Sequence, residues 1–352
     1  SQKHLGNFWG FLSGWGYYIG TIAGNAIIIH KFSERINIFF NGFINKTTNL
    51  LVIDICFILI FTVLNLFNIN FLEKIQFMFT SLKAIPIFVI LFSSFFLFSS
   101  KNVTSTPIIY SGFIDTIPLV LFAYMGFESC CAIGHQIENG KKNTSKAILT
   151  SFFLIMLLYS LMQFIILGIF GANPTAPFLG ILPKLTTNNF IIFFGNKIID
   201  FAIITSFLGG FYSMFYTNNW NLYAIANEKQ ILFSNKLTKL NKNKVPYIAI
   251  ITQGIMVTIF LLITQSTSSL ISMSDFGVII TYLLVTSSFL AIYKFKNTKN
   301  LFIGILSIIS SLYLLFICAQ NLLEDGIEFL LPFLIILGIG IILYKIRNLK
   351  IN

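Results

Sequence analysis

Charge is what this sequence has least of. Asp, Glu, Lys and Arg together make up 10% of the 352 residues, and arginine occurs only at Arg35 and Arg347. A soluble domain carries about a quarter charged residues, so this composition excludes one. Histidine is as sparse, with His4, His30 and His135 far apart in the chain. The four cysteines, Cys56, Cys130, Cys131 and Cys318, fall inside apolar runs without metal-ligand spacing, which argues against a disulfide framework or a bound metal. No HExxH, Walker loop, GxSxG or paired CxxC occurs, so nothing points to an enzyme or a cofactor. The start of the sequence has neither the basic residues nor the cleavage site of a signal peptide. The net charge of +11 is no sign of a nucleic-acid partner, because the lysines are scattered over short connectors instead of forming one basic face.

What is present is hydrocarbon. Apolar residues make up 56% of the chain and the mean hydropathy is +0.85. Crossing about 30 Å of lipid takes roughly 20 apolar residues. Runs of about that length cover 8–29, 50–70, 77–98, 116–135, 147–171, 198–226, 248–264, 276–293, 301–319 and 329–345. The expectation is an all-α integral membrane protein with ten spans in the lipid bilayer. An even number puts both ends on one side. With Ser1 inside, the inner connectors and tails hold sixteen Lys and Arg, and the outer ones hold six: Lys31, Arg35, Lys46, Lys101, Lys184 and Lys197. Both ends of this chain are therefore expected in the cytoplasm. Of the two longest connectors, the outer one at 172–197 contains the turn-forming NPTAP. The inner one at 227–245 reads either as a helix lying on the membrane surface or as a solvated lysine-rich loop.

The most informative stretch is 119–146, LVLFAYMGFESCCAIGHQIENGKKNTSK. An apolar run enters it, stops at Gly126, exposes a carboxylate at Glu128, resumes through Cys130 to Ile133 and ends among lysines. A charged side chain in hydrocarbon costs about 3 kcal/mol on insertion scales, so it faces a cavity or a partner. Interrupted helices at mid-membrane are where carriers hold their cargo. Glu128 is either a protonated side chain bonded to a neighbouring helix or a group that binds a cation or carries a proton. Gly126 favours the second reading, since a helix that loosens at glycine frees backbone groups for a ligand. Lys83, inside the third run with Pro86 nearby, either snorkels to the interface or is a buried ammonium in the place of a bound cation. Asn25 sits among Gly20, Thr21 and Gly24, where close helix packing and interhelical bonding are expected. His135 near the inner end of the break reads as an interfacial histidine. Asp54, Asp200 and Asp275 lie near the ends of runs, where interfacial water suffices, and receive no role.

These residues together resemble the amino acid/polyamine/organocation transporter superfamily, and most closely its basic amino acid and polyamine antiporters. FAYMGFES followed by ENGKKNTSKAI is similar to that family's sixth helix and following loop, with Gly140 and Ser145 where prolines are usual. LGNFWGFLSGW with AGNAIII resembles the third helix, LNLFNINFLEKIQFMFTSLKAIPI the fourth to fifth, and FLGGFYSMFYTNNWNLYAIANEKQILF the eighth with its inner loop. The resemblance implies a LeuT-type inverted-repeat fold in one transmembrane domain, with ten helices of an expected twelve in this sequence. The first two, including a Gly-rich break that pairs with the one at Gly126, would precede Ser1. It implies that Gly126 and Glu128 form the unwound segment and its carboxylate, that Phe122 gates the outer side, that Asn25 lies near the substrate, and that Tyr216 closes the inner path. Lys83 matches a fifth-helix lysine that replaces a cation site in proton-coupled or sodium-independent relatives; the antiporters lack it, so that match points two ways. The implied function is transport of an amino acid or polyamine across a bacterial plasma membrane by alternating access, as exchange or with protons. A polytopic membrane protein without transport, such as a sensor, an assembly partner or a decayed fragment, is the other reading.

Overall fold

Backbone amides surrounded by hydrocarbon have no water to bond, so a chain this apolar satisfies them within helices. The computed structural model describes residues 2–40, 42, 47–67, 69–105, 112–172, 178–293 and 298–349, and among these there is no strand. The long elements are α1 (Asn7–Phe39), α2 (Thr47–Leu64), α3 (Ile69–Leu97), α4 (Phe113–Tyr124), α5 (Gly140–Phe170), α6 (Asn189–Asn227), α7 (Tyr247–Ile263), α8 (Thr267–Tyr293), α9 (Thr298–Asp325) and α10 (Ile327–Leu349). Six of them, α3, α5, α6, α8, α9 and α10, contain stretches long and apolar enough to cross a membrane, while α2, α4 and α7 are shorter apolar helices.

The centre of the molecule is α1. Phe11, Ile19, Ile22, Ala23, Ala26 and Ile29 on it have no exposed surface. Its glycines explain how neighbours come so close. A methyl group on Gly20 would stand 2.6 Å from the Ser274 carbonyl of α8, and one on Gly277 of α8 would stand 2.7 Å from the Gly16 carbonyl and the Gly20 backbone. The Gly16–Gly20–Gly24 spacing thus seats α8 backbone to backbone against α1, a packing available only to small residues. On another side, α6 runs antiparallel to α1. Asn218 and Asn221 donate to the Tyr18 and Gly14 carbonyls, both at 3.1 Å, and Arg35 pairs with Asp200 further along. A smaller cluster of Ile90, Met162, Ile165, Ile166, Ile169 and Ile181 joins α3 and α5 to the short helix Ile181–Leu185. The periphery carries phenylalanines such as Phe77, Phe88, Phe92, Phe95 and Phe96 exposed together along α3, the surface a lipid-facing helix presents.

The structure corrects several expectations. Asp54 and Asp200 do not rely on interfacial water. Asp54 is fully buried and bonds His30 Nδ1 at 2.8 Å, and Asp200 meets Arg35. Five of the six outer basic residues lie within helices, Lys31, Arg35 and Lys197 in long ones and Lys101 and Lys184 in short ones. Lys31 bonds Glu34 at 2.6 Å, and Lys197 donates to the Phe39 carbonyl at 2.8 Å with its ammonium 4.3 Å from that ring's centre. Capped by the Asn188 side chain, which accepts the Phe190 and Ile191 N–H groups, α6 starts at Asn189, well before 198. The inner connector is neither a surface helix nor a solvated loop. Ile231, Leu237 and Val245 are buried in the main core, and Asn241 and Asn243 donate to the Leu66 carbonyl at 2.9 and 2.8 Å, which docks the segment under the end of α2. The NPTAP turn lies outside the described residues.

Candidate functional site

The helix of α4 stops at Tyr124. Met125 turns to an extended ψ of 153°, Gly126 takes a φ of +105°, and the chain continues only as two 3-10 turns, Ser129–Cys131 and Gly134–Gln136, before α5 begins. The apolar run therefore does not resume as an α-helix through Cys130 to Ile133. Nothing lies within 4 Å of where a Gly126 Cβ would be, so the glycine is required by its backbone angle and not by space.

Side chains next in sequence satisfy the freed backbone. Glu128 Oε2 accepts the Gly126 N–H at 3.1 Å, and Ser129 Oγ donates to the Gly126 carbonyl at 2.7 Å. The other oxygen of Glu128 accepts the Tyr17 hydroxyl of α1 at 3.1 Å. The Tyr282 hydroxyl of α8 lies beside the same carboxylate, sealed from water and without a well-formed hydrogen bond. Met125 Sδ receives Ser274 Oγ at 3.7 Å. The break is thus enclosed by α1 and α8, and no described lysine or arginine forms an ion pair with Glu128. Its hydrogen-bond partners among the described residues are neutral dipoles.

Beyond the break, Tyr216 of α6 is nine-tenths buried and donates to Gln136 Oε1 at 2.9 Å. The exposed His135 ring rests 4.7 Å from that of Trp220, which meets Tyr216 edge-on. On the other side of α4, a cavity of about 410 Å³ opens between Pro118, Leu119, Ser268, Ser272 and Asn321.

Of the residues singled out in the sequence, Gly126 and Glu128 form the centre of this site, and Tyr216 joins its far end through Gln136. Phe122 is half-buried in the last turn of α4, and its carbonyl accepts the Met125 N–H at 3.1 Å. Asn25 is fully buried, but its amide donates to the Thr21 carbonyl at 3.0 Å, about 12 Å along α1 from Tyr17. Lys83 lies on α3 with an exposed side chain, and no described carboxylate pairs with it. Sequence reasoning missed Tyr17, Tyr282 and Gln136. Tyr17 is adjacent to Gly16 in the small-residue stripe, which was the available signal; the other two become visible only once α8 and α6 are folded against the break.

The profile of the amino acid permease family matches residues 1–343. The chain is 26% identical over 310 residues to the serine/threonine exchanger SteT of Bacillus subtilis, an alignment covering 84% of this chain and 67% of that protein. It is 23% identical to an arginine/ornithine antiporter of Latilactobacillus sakei (94% and 72% covered) and 20% identical to the arginine/ornithine antiporter ArcD1 of Lactococcus lactis (98% and 70%).

Proposed function

Because the chain belongs to the amino acid permease family, we propose that the break at Gly126 is where it takes hold of the amino acid it carries across the membrane. The carrying observation is Glu128, a carboxylate at an interrupted helix held only by a phenol and a backbone amide. A substrate ammonium brings the missing opposite charge and displaces the Tyr17 hydroxyl from Oε1. That exchange of a neutral for a charge-assisted bond favours amino acids with a second cationic group, such as arginine or ornithine, or a polyamine. Two of the relatives are named for arginine and ornithine and a third for serine and threonine, all of them exchangers or antiporters, which supports exchange as the mode.

The reading places the break in a LeuT-type arrangement of ten spans in a bacterial plasma membrane, with both ends of this chain cytoplasmic, as the sixteen-to-six distribution of basic residues favours. Phe122 then closes the outer path and Tyr216, through Gln136, the inner one, with Asn25 lining the substrate's surroundings. Binding energy that differs between the two facing states drives the switch. The resemblance sets Lys83 in the place of a bound cation, a role in which flux ignores sodium and responds to pH, whereas its exposed side chain on α3 supports the snorkelling alternative.

The test is counterflow of labelled arginine, ornithine and serine in proteoliposomes containing the full chain. Glu128→Gln keeps the shape but removes the charge and one acceptor, and is expected to abolish counterflow at unchanged protein level. Wild-type rates in that variant would overturn the assignment of Glu128.

A further inference from the structure

Asp275 lies about two turns inside α8, not at a helix end. It has no exposed surface, and neither of its carboxylate oxygens has a hydrogen-bond partner. Ser272 and Ser274, just before it in the chain, are sealed as well. Among the described side chains, the elements packed around it offer no compensating charge. From α9 the titratable group facing it is Cys318, and on its own helix it is Tyr282, two turns along. On the same helix, α1 packs its Gly16–Gly20 backbone against Ser274 and Gly277 and turns Tyr17 to Glu128, and α10 sets Phe333 edge-on to Phe276. From α4, which also packs on α8, Tyr124 is turned to Tyr159 of α5. The short helix Gln2–Leu5 carries the exposed Lys3 and His4. Among the described residues none of these pairs with Asp275.

Buried polar groups without partners are rare enough to need a reason. A bare carboxylate here would lose several kcal/mol of solvation with nothing in return, whereas a carboxylic acid carries no charge to desolvate. In a membrane protein such a group marks a path for ions or protons. Tyr282 connects it to the site, because its hydroxyl lies beside Glu128 while its ring stands on the same face of α8 as Asp275.

We propose that Asp275 is a proton-binding site of the transport cycle. It holds a proton while the glycine seam between α1 and α8 is closed and releases it to water when the seam opens, leaving a carboxylate. Tyr282, between Asp275 and Glu128, lets the charge on one carboxyl bias the other, so that substrate arrival at the break and proton release are linked. The coupling rests on the amino acid transport reading above; the proton site itself does not.

Two measurements on the purified full chain separate these statements. In acid-minus-alkaline infrared difference spectra, a carboxylic acid carbonyl band is expected that Asp275→Asn removes. In proteoliposomes, counterflow by Asp275→Asn is expected to lose the pH response of the wild type while flux persists. A band that survives the substitution, or a variant that keeps the wild-type pH profile, overturns the proposal. If Asp275→Asn does not fold, Asp275→Glu must shift the band, and an unshifted band is equally decisive. If the wild type shows no amino acid counterflow, the transport reading fails and the infrared band alone decides the proton site.

Discussion

Alanine at two glycines gives the sharpest test of how the break is built. Gly126 and Gly112 both have open space around the position of an added Cβ, with nothing within 4 Å of either. They differ in backbone: φ is +105° at Gly126 and −81° at Gly112. A methyl group therefore meets no neighbour at either site, and any difference between the two variants is conformational. Left-handed backbone costs an L-residue about 1–2 kcal/mol, more than alanine recovers by restricting the unfolded chain. If the broken conformer is the one that binds substrate, Gly126→Ala lowers its equilibrium constant against the other conformers by roughly 5- to 30-fold, since about 1.4 kcal/mol is tenfold. The apparent affinity falls by up to the same factor. Gly112→Ala, at an ordinary helical φ, leaves it unchanged. Substrate titration of counterflow in proteoliposomes reads both variants side by side. Equal behaviour of the two alanines, at equal protein level, would refute the argument that the Gly126 angle maintains the site.

Two further outcomes concern the scaffold. Gly277→Ala drives a methyl into the Gly16 carbonyl and the Gly20 backbone and is expected to destabilise the fold by about 1–3 kcal/mol. Gly210→Ala, whose nearest neighbour is Ile28 Cγ2 at 4.0 Å, should be neutral or gain up to about 1 kcal/mol of helix propensity; thermal unfolding in detergent distinguishes them. Asp54→Ala removes the buried Nδ1 partner of His30, leaving only the 3.6 Å contact of Nε2 with Glu34, and is expected to cost up to about 3–5 kcal/mol if the pair is ionised, seen as a large loss of unfolding temperature. An unchanged temperature would mean that the pair contributes nothing net.

What the sequence made legible depended on the range of the interaction. The interruption at Gly126 and the adjacent Glu128 were readable because the chemistry is local: Glu128 and Ser129 bond the amide and carbonyl of a residue two or three positions away. Gly20, Thr21 and Gly24 around Asn25 announced close packing for the same reason, though neither the part of Gly16 nor that α8 was the partner. Long-range pairings were illegible. Arg35 and Lys197 look like connector charges until Asp200 and the Phe39 carbonyl are brought to them. Asp275 looked interfacial because the apolar run was taken to start at 276, whereas Ser269, Ser272 and Ser274 are buried on the α8 that begins at Thr267. A run of serines lowers hydropathy without opposing a helix whose other side is packed.

The antiparallel pinning of α1 to α6 has a mechanical consequence. Asp200, Asn218 and Asn221 fasten the two helices at points spread over about 30 Å, so they behave as one stiff beam. Two grips on the interrupted segment belong to that beam, besides the Ser274–Met125 contact from α8: Tyr17 holds Glu128 from α1, and Tyr216 holds Gln136 from α6. A segment clamped at two places to one rigid body cannot drift off it; releasing one clamp leaves the other as a pivot. Letting go at Glu128 swings the segment about Gln136, and letting go at Gln136 swings it about Glu128. The two bonds thus give the break two alternative pivots on one rigid support.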